Sequence, residues 1–280
     1  MLRTSRRVVE LGPADLARLV ELCRRNPAVN AFVEHRALTT DLERRRLGGV
    51  VWGFLEGNDL VSACHVGANL VPVEATPQAI DAFAEQAARY PRSCSSVVGL
   101  ASAVLPLWER LEPVWAAARE VRADQPFMVT GDASPLPPDP EVRRLSLADF
   151  DTVYPASVAM FTEEVGVSPE LDGPGYYRAR VAQLISRGWS FARIEDGNVV
   201  FKAEVGLATA QVCQVQGVYV DPHRRGQGIA APAMAAVVAM AQADIAPVVS
   251  LYVNAANTPA RTAYERAGFV QTTTFSTVLF

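Results

Sequence analysis

The chain has 280 residues, half of them hydrophobic and a fifth charged, with a net charge of −4 and a pI near 5.5. That length suits two ordinary domains, and the composition supports buried cores and excludes a disordered chain. With 26 basic against 30 acidic residues, binding to nucleic acid through phosphate neutralisation is excluded as its main business. Lys202 is the only lysine, which a genome biased toward arginine codons explains. Cys23, Cys64, Cys94 and Cys213 are scattered, and His35, His65 and His223 lie far apart. The expectation is therefore no metal, no disulfide framework, and reduced thiols in a cytoplasm. Met1–Arg7 is positive, but no long apolar run follows, so no signal peptide is expected. The alanine-rich stretch Ile229–Ala243 is shorter than a membrane span and reads as a buried helix, so no membrane association is expected.

In chain order, the first half reads as a strand at Val8–Leu11, helices at Asp15–Arg25 and Ala28–Leu38, and strands at Val50–Leu55, Asp59–Val66 and Ala68–Val73. A helix at Pro77–Arg89, a strand at Ser95–Gly99, a helix at Pro106–Ala118 and a strand at Val121–Thr130 complete it. Gly131-Asp-Ala-Ser-Pro-Leu-Pro-Pro-Asp-Pro140 follows, and its four prolines can continue neither a helix nor a central strand. The expected division is thus a domain over 1–130, a linker over 131–140 and a domain over 141–280.

The second half begins with a short strand, Val142–Ser146, then a helix over Ala148–Glu164 with a break at Pro155. Gly173-Pro-Gly175 interrupts, and Tyr176–Arg187 has the apolar spacing of a second helix ended by Gly188. Trp189–Ile194, Val199–Ala208 and Gln211–Val220 form an antiparallel meander, its first turn made by Glu195-Asp196-Gly197-Asn198. Gly228–Ala243 is a helix and Val248–Val253 a strand. Thr258 as N-cap with Pro259 behind it opens a helix to Arg266. Phe269–Phe280 supplies one or two last strands. The element order of the first half repeats in the second, which suggests a duplicated architecture.

The segment with the most chemistry is Gln216–Ala231, a strand, a glycine-rich loop and a helix. Gly226 and Gly228 permit positive φ and close backbone approach, and successive N–H groups at a helix start make a nest for phosphate oxygens. A loop that merely starts a helix would look the same. A Walker A loop needs Gly-Lys-Ser/Thr, and the one lysine is elsewhere. A dinucleotide-binding turn is disfavoured by the five residues between strand and Gly226, and by Asn254 where an acidic residue should end the next strand.

Arg225-Gly-Gln-Gly228-Ile-Ala230 resembles the Arg/Gln-x-x-Gly-x-Gly/Ala pattern of the GNAT acetyltransferases, and Val218–Pro222 is similar to the strand before it in that family. Asn257-Thr-Pro-Ala260-Arg-Thr-Ala-Tyr264, followed by Gly268-Phe269, resembles the family's other cofactor segment. The resemblance implies an α+β fold of tandem GNAT-like domains, each a mixed, mostly antiparallel sheet flanked by helices. It implies acetyl-CoA as donor, with main-chain groups of Val218, Tyr219 and Val220 on the pantetheine arm. Arg225, Gly226, Gln227, Gly228, Ile229 and Ala230 would hold the pyrophosphate, Asn257 would bond the arm, and Tyr264 would lie at the thioester sulfur. The chemistry is attack by an amine of a small molecule or protein, with a backbone N–H near Val218 as oxyanion donor and Tyr264 as acid. Glu204 is the candidate base; Glu163, Glu164, Glu170 and Asp172 would attract a cationic acceptor, and His223 is a turn residue. An acyl-CoA sensor without turnover, and a transferase of longer acyl chains, are the alternatives. The first half enters its helix through Thr76-Pro77, without glycines or arginine, and resembles a copy that has lost the nest.

Overall fold

The computed structural model describes residues 6–171, 173 and 175–280. They form two compact units. One comprises residues up to Phe127 with Tyr252–Ala256 and Gln271–Phe280; the other comprises Met128–Leu251 with Asn257–Val270. The units therefore interleave along the chain, where the sequence suggested a single cut at the proline-rich segment.

The first unit contains β1 (Arg6–Leu11), α1 (Leu16–Cys23), α2 (Ala31–Thr40), a one-turn α3 (Arg44–Leu47), β2 (Val50–Glu56), β3 (Asp59–Val66) and β4 (Asn69–Val73). Then come α4 (Pro77–Ala87), β5 (Ser96–Leu100), α5 (Ala101–Leu111) and β6 (Glu120–Thr130), whose last residues pass into the second unit. Strands β1 to β4 pair antiparallel in sequence order, and β4 pairs parallel with β5 after the α4 crossover. Helix α5 starts five residues earlier than the sequence suggested, because Pro106 lies inside it. Buried Val104, Leu107, Trp108 and Leu111 hold the helix in place and outweigh the one backbone bond that proline removes.

The second unit runs β7 (Arg143–Arg144), α6 (Phe150–Val165), α7 (Gly175–Ser186), β8 (Ser190–Glu195), β9 (Asn198–Ala208), β10 (Val212–Val220), α8 (Ala230–Asp244), β11 (Val248–Tyr252) and α9 (Thr258–Arg266). Strands β7 to β10 are antiparallel neighbours, and β10 pairs parallel with β11 across the α8 crossover. No break occurs at Pro155, since α6 continues through it and buries Val153, Tyr154 and Ser157 around it. The β8–β9 turn forms as its residues predict, with Asp196 at φ 47° and Gly197 at φ 77°.

The last strand, β12 (Val270–Leu279), belongs with the first unit. It pairs antiparallel with β5, from Phe275–Leu100 to Leu279–Ser96, and β6 lies on its other side. Ser276 Oγ donates to the Ala123 carbonyl and Thr277 Oγ1 to Gln125 Oε1. Phe275 stacks on Phe127 at 4.4 Å, and Val278 sits in the core with Ile80, Phe83 and Leu107. The residues of β12 suit a strand and say nothing about which neighbour it joins.

Candidate active site

Strand β10 is the spine of the site. Its parallel pairing with β11 runs from Val212–Val248 to Gln214–Ser250 and stops, while β10 continues to Val220. Ser250 Oγ donates to the Cys213 carbonyl at 3.2 Å where the pairing ends. Beyond it, one edge of β10 has no strand partner in β11, which is the arrangement an extended ligand can join.

On its other edge, β10 carries a bulge. Gln216 is opposite Glu204 and Tyr219 is opposite Lys202, so Gly217 and Val218 share one residue of β9. Gly217 takes φ +61°, and a Cβ there would lie 3.0 Å from Glu204 Cδ and 3.1 Å from Met160 Cε, so glycine is required on both counts. Lys202, the one lysine, is buried here at 2% exposure; its Nζ donates to the Gly217 carbonyl at 3.0 Å and meets Glu204 Oε2 at 3.4 Å. Glu204 Oε1 accepts from Gln216 Nε2 at 3.3 Å. The sequence placed Glu204 among the candidates and gave Lys202 no role. Strand pairing across the bulge is what brings the two together, and no spacing rule along the chain reveals it.

The loop after β10 begins with a 3-10 turn at Pro222–Arg224, where Asp221 Oδ1 accepts the His223 N–H at 2.9 Å. His223 is exposed, as expected of a turn residue. Arg224 pairs with Glu195 at 2.8 Å, and Arg225 makes a two-pronged bond to Glu163 at 2.9 and 2.7 Å while its Nε donates to the Val220 carbonyl. Arg225 in turn holds the Glu163 carboxyl below its usual pKa. Both arginine side chains are thus engaged in bracing the loop. Gly226 and Gly228 both sit at φ +78°, and no atom lies within 4 Å of where their Cβ would be. Gln227 lies between them, and Ile229 precedes α8, so the N–H groups of the loop and the first helical turn lack helical acceptors. Open space over two left-handed glycines at a helix start fits the phosphates of a nucleotide-bearing substrate.

Helix α9 supplies the remaining residues. Asn257, and not Thr258, is its N-cap: Asn257 Oδ1 accepts the Ala260 N–H at 3.2 Å, because Pro259 leaves Ala260 as the reachable donor. Tyr264 is 7% exposed, packs edge-on to Phe269, and its hydroxyl is pushed above the ordinary pKa, chiefly by burial and then by the Glu164 carboxylate. It therefore keeps its proton through the neutral range.

Of the acidic residues expected near an acceptor, Glu163 is taken by Arg225 and Glu170 accepts from the Tyr154 hydroxyl at 2.8 Å. Asp172 lies outside the described residues. Tyr177 donates to the Ser157 carbonyl at 3.0 Å, and its pKa is raised by burial, then by Glu204 and Tyr154. Among the described residues, no three His, Cys, Asp or Glu are grouped to hold a metal ion, and no helix is long and apolar enough to cross a membrane. In the first unit, the turn from β4 into α4 is closed by Thr76, whose Oγ1 accepts the Ala79 N–H at 3.2 Å, with Pro77 contributing no N–H.

Residues 188–269 match the acetyltransferase (GNAT) family, and residues 49–153 match a domain of unknown function, DUF4081. No curated protein matches the sequence. Among solved structures, a GCN5-related N-acetyltransferase from Sphaerobacter thermophilus is similar at TM-score 0.63 and 18% identity, over 98% of this chain and 95% of its own. A GNAT-family acetyltransferase from Colwellia psychrerythraea is similar at TM-score 0.60 and 14% identity, over 98% and 99%. A tandem GNAT protein from the clavulanic acid biosynthesis pathway is similar at TM-score 0.56 and 12% identity, over 98% of each chain. At these identities the likeness is one of fold. Residues 188–269, in the second unit, carry the match to the GNAT family, and the fold of the chain is like that of these structures.

Proposed function

We propose that the GNAT domain of the second unit moves the acetyl group of acetyl-CoA to a primary amine of a small molecule or protein, with donor and acceptor bound together. One observation carries the reading: an unpaired strand edge beyond Gln214, a left-handed bulge at Gly217 and an open two-glycine nest occur in succession along one stretch of chain. Acetyl-CoA supplies the activated thioester. Val218, Tyr219 and Val220 would receive its pantetheine arm as an added strand, and the amides from Arg225 to Ala230 would bind the pyrophosphate. Arg225 acts by fixing the loop through Glu163, and Asn257 by fixing the start of α9 beside the arm.

In a trans peptide the C=O and N–H point in opposite directions. The Lys202 ammonium on the Gly217 carbonyl therefore directs the N–H of the same peptide, that of Val218, away from β9, and polarises it as a donor. That N–H meets the negative charge that grows on the acetyl oxygen during attack. Lys202 acts through it as a positioning residue, and Glu204 balances the charge of Lys202 in a buried setting. Tyr264, still protonated, gives its proton to the departing thiolate, whose conjugate acid has a pKa of about 8.5. The four cysteines are unpaired and buried, which fits a reducing compartment such as the cytoplasm.

The test is a turnover screen of acetyl-CoA with polyamines, aminoglycosides, amino acids and peptides, with mass analysis of products. An amine that gains one acetyl group while CoA is released supports the reading. Tight acetyl-CoA binding with no turnover on any acceptor overturns it in favour of a sensor, and faster transfer from longer acyl-CoAs overturns the choice of acetyl.

A further inference from the structure

The proline-rich segment that reads as a plain linker in the sequence is built into the second unit at Asp139. Pro138 and Pro140 flank it with fixed φ and no N–H, so Asp139 holds the one main-chain donor of the three. That N–H donates to the Pro232 carbonyl at 3.0 Å, in the first turn of α8. The Asp139 side chain is 6% exposed. Its Oδ1 accepts the Glu141 N–H at 2.9 Å, and its Oδ2 accepts from Arg193 Nη1 at 2.9 Å.

From Asp139 the bonds run on without a gap. Arg193 Nε donates to Glu195 Oε1 at 2.6 Å, both residues lying on β8. Glu195 Oε2 accepts from Arg224 Nη1 at 2.8 Å, and Arg224 Nε donates to Gln227 Oε1 at 3.2 Å. Gln227 stands between the two left-handed glycines, and its Nε2 donates back to the His223 carbonyl at 3.4 Å. The series of contacts thus leaves α8 at Pro232 and returns at Gln227, so it spans the phosphate nest from its far end to its middle.

An isolated ion pair at a surface contributes little, because solvent screens it and two long side chains lose freedom. This series differs in two ways. Its anchor, Asp139, is buried, and Arg193, Glu195 and Arg224 each bond two partners, so ordering one side chain serves two contacts. Arg224 and then Arg193 keep the Glu195 carboxyl below its usual pKa, so it stays charged through the neutral range. Two carboxylates alternate with two guanidinia, so the series adds no net charge to attract phosphate, and its effect is geometric. The glycines need such bracing: nothing packs where their Cβ would be, and glycine has the most backbone freedom to lose. Resting on the acetyl-CoA reading, we infer that Asp139, Arg193 and Glu195 are positioning residues for donor binding. Through Arg224 and Gln227 on one side and Pro232 on the other, they hold the N–H groups of the loop in the arrangement that receives the pyrophosphate.

Calorimetric titration of acetyl-CoA into the full chain tests this in the wild type, Glu195→Ala, Gln227→Ala and the double variant. Glu195→Ala cuts the series in its middle and should weaken acetyl-CoA binding by about tenfold, with the circular dichroism spectrum unchanged. Should Glu195→Ala fail to fold, Glu195→Gln, which keeps the shape and loses the charge, takes its place. Gln227→Ala should weaken binding too, and in the double variant the two losses should not add, because both cut the same series. A merely structural role for Glu195 in its hairpin would give additive losses. Unchanged affinity in either single variant, or additive losses in the double, would overturn the inference and leave the acetyl-CoA reading standing. A wild type that binds no acetyl-CoA would overturn that reading and the inference with it.

Discussion

Lys202 shows how a single residue can gain meaning from its setting. A lysine ion-paired in a nearly closed site could serve only to hold β9 against β10, and two variants separate that role from the one proposed. Lys202→Met alone leaves Glu204 buried without its partner and should destabilise the unit. Lys202→Met combined with Glu204→Gln removes both charges and should restore folding, yet kcat should stay about tenfold or more below wild type with acetyl-CoA affinity retained. Recovery of full kcat in the double variant would reduce the pair to a structural one. Glu204→Gln alone also addresses the base: a flattened acid limb of the pH–rate profile would restore Glu204 to that role, and a uniform fall in kcat would leave it as counter-ion. For Tyr264, burial raises the hydroxyl pKa, so the acid form persists as pH rises and is not lost near neutrality. Tyr264→Phe should lower kcat by about a hundredfold or more at every pH where the wild type is active, measured with a fixed acceptor. An unchanged rate would remove Tyr264 as the acid.

At the scale of elements, the β8–β9 hairpin, the α8 loop and α9 were legible in the sequence because their signals are local: a positive-φ dipeptide, two glycines, and a proline in the first helical turn, although the cap is Asn257, one residue before the Thr258 that the sequence suggested. Proline misled twice for the same reason. Pro106 and Pro155 read as a helix start and a break, but both lie within helices whose buried faces outweigh one lost backbone bond. The bulge at Gly217 was not legible, since it is defined by register against β9. Neither was the placement of β12, whose partner β5 lies in the other half of the chain. That placement has a measurable consequence. Phe275→Ala should cost about 3–5 kcal/mol, and hydrogen exchange should show the loss in β5 and α5 of the first unit ahead of β8 to β10. Uniform loss across both units, or loss confined to the second, would contradict it.

At the scale of the whole molecule, the two units share an element pattern and differ at the turn into the crossover helix. Both units keep the crossover of a strand, a helix and a parallel strand, β4–α4–β5 in one and β10–α8–β11 in the other. In the second, the chain enters its helix through two open glycines. In the first, Thr76 caps the helix and Pro77 contributes no N–H, so fewer main-chain donors are free at that turn. The repeated element order, and the glycines present at one crossover and missing at the other, were both legible in the sequence. The central claim, that one nest in the second unit holds the donor, is tested most directly by calorimetric titration of acetyl-CoA into the full chain and into Gly226→Val/Gly228→Val. Val at two positions with φ +78° should collapse the loop geometry. The account predicts one acetyl-CoA per wild-type chain and none in the variant. Two per chain, or a variant that binds as the wild type does, would contradict it.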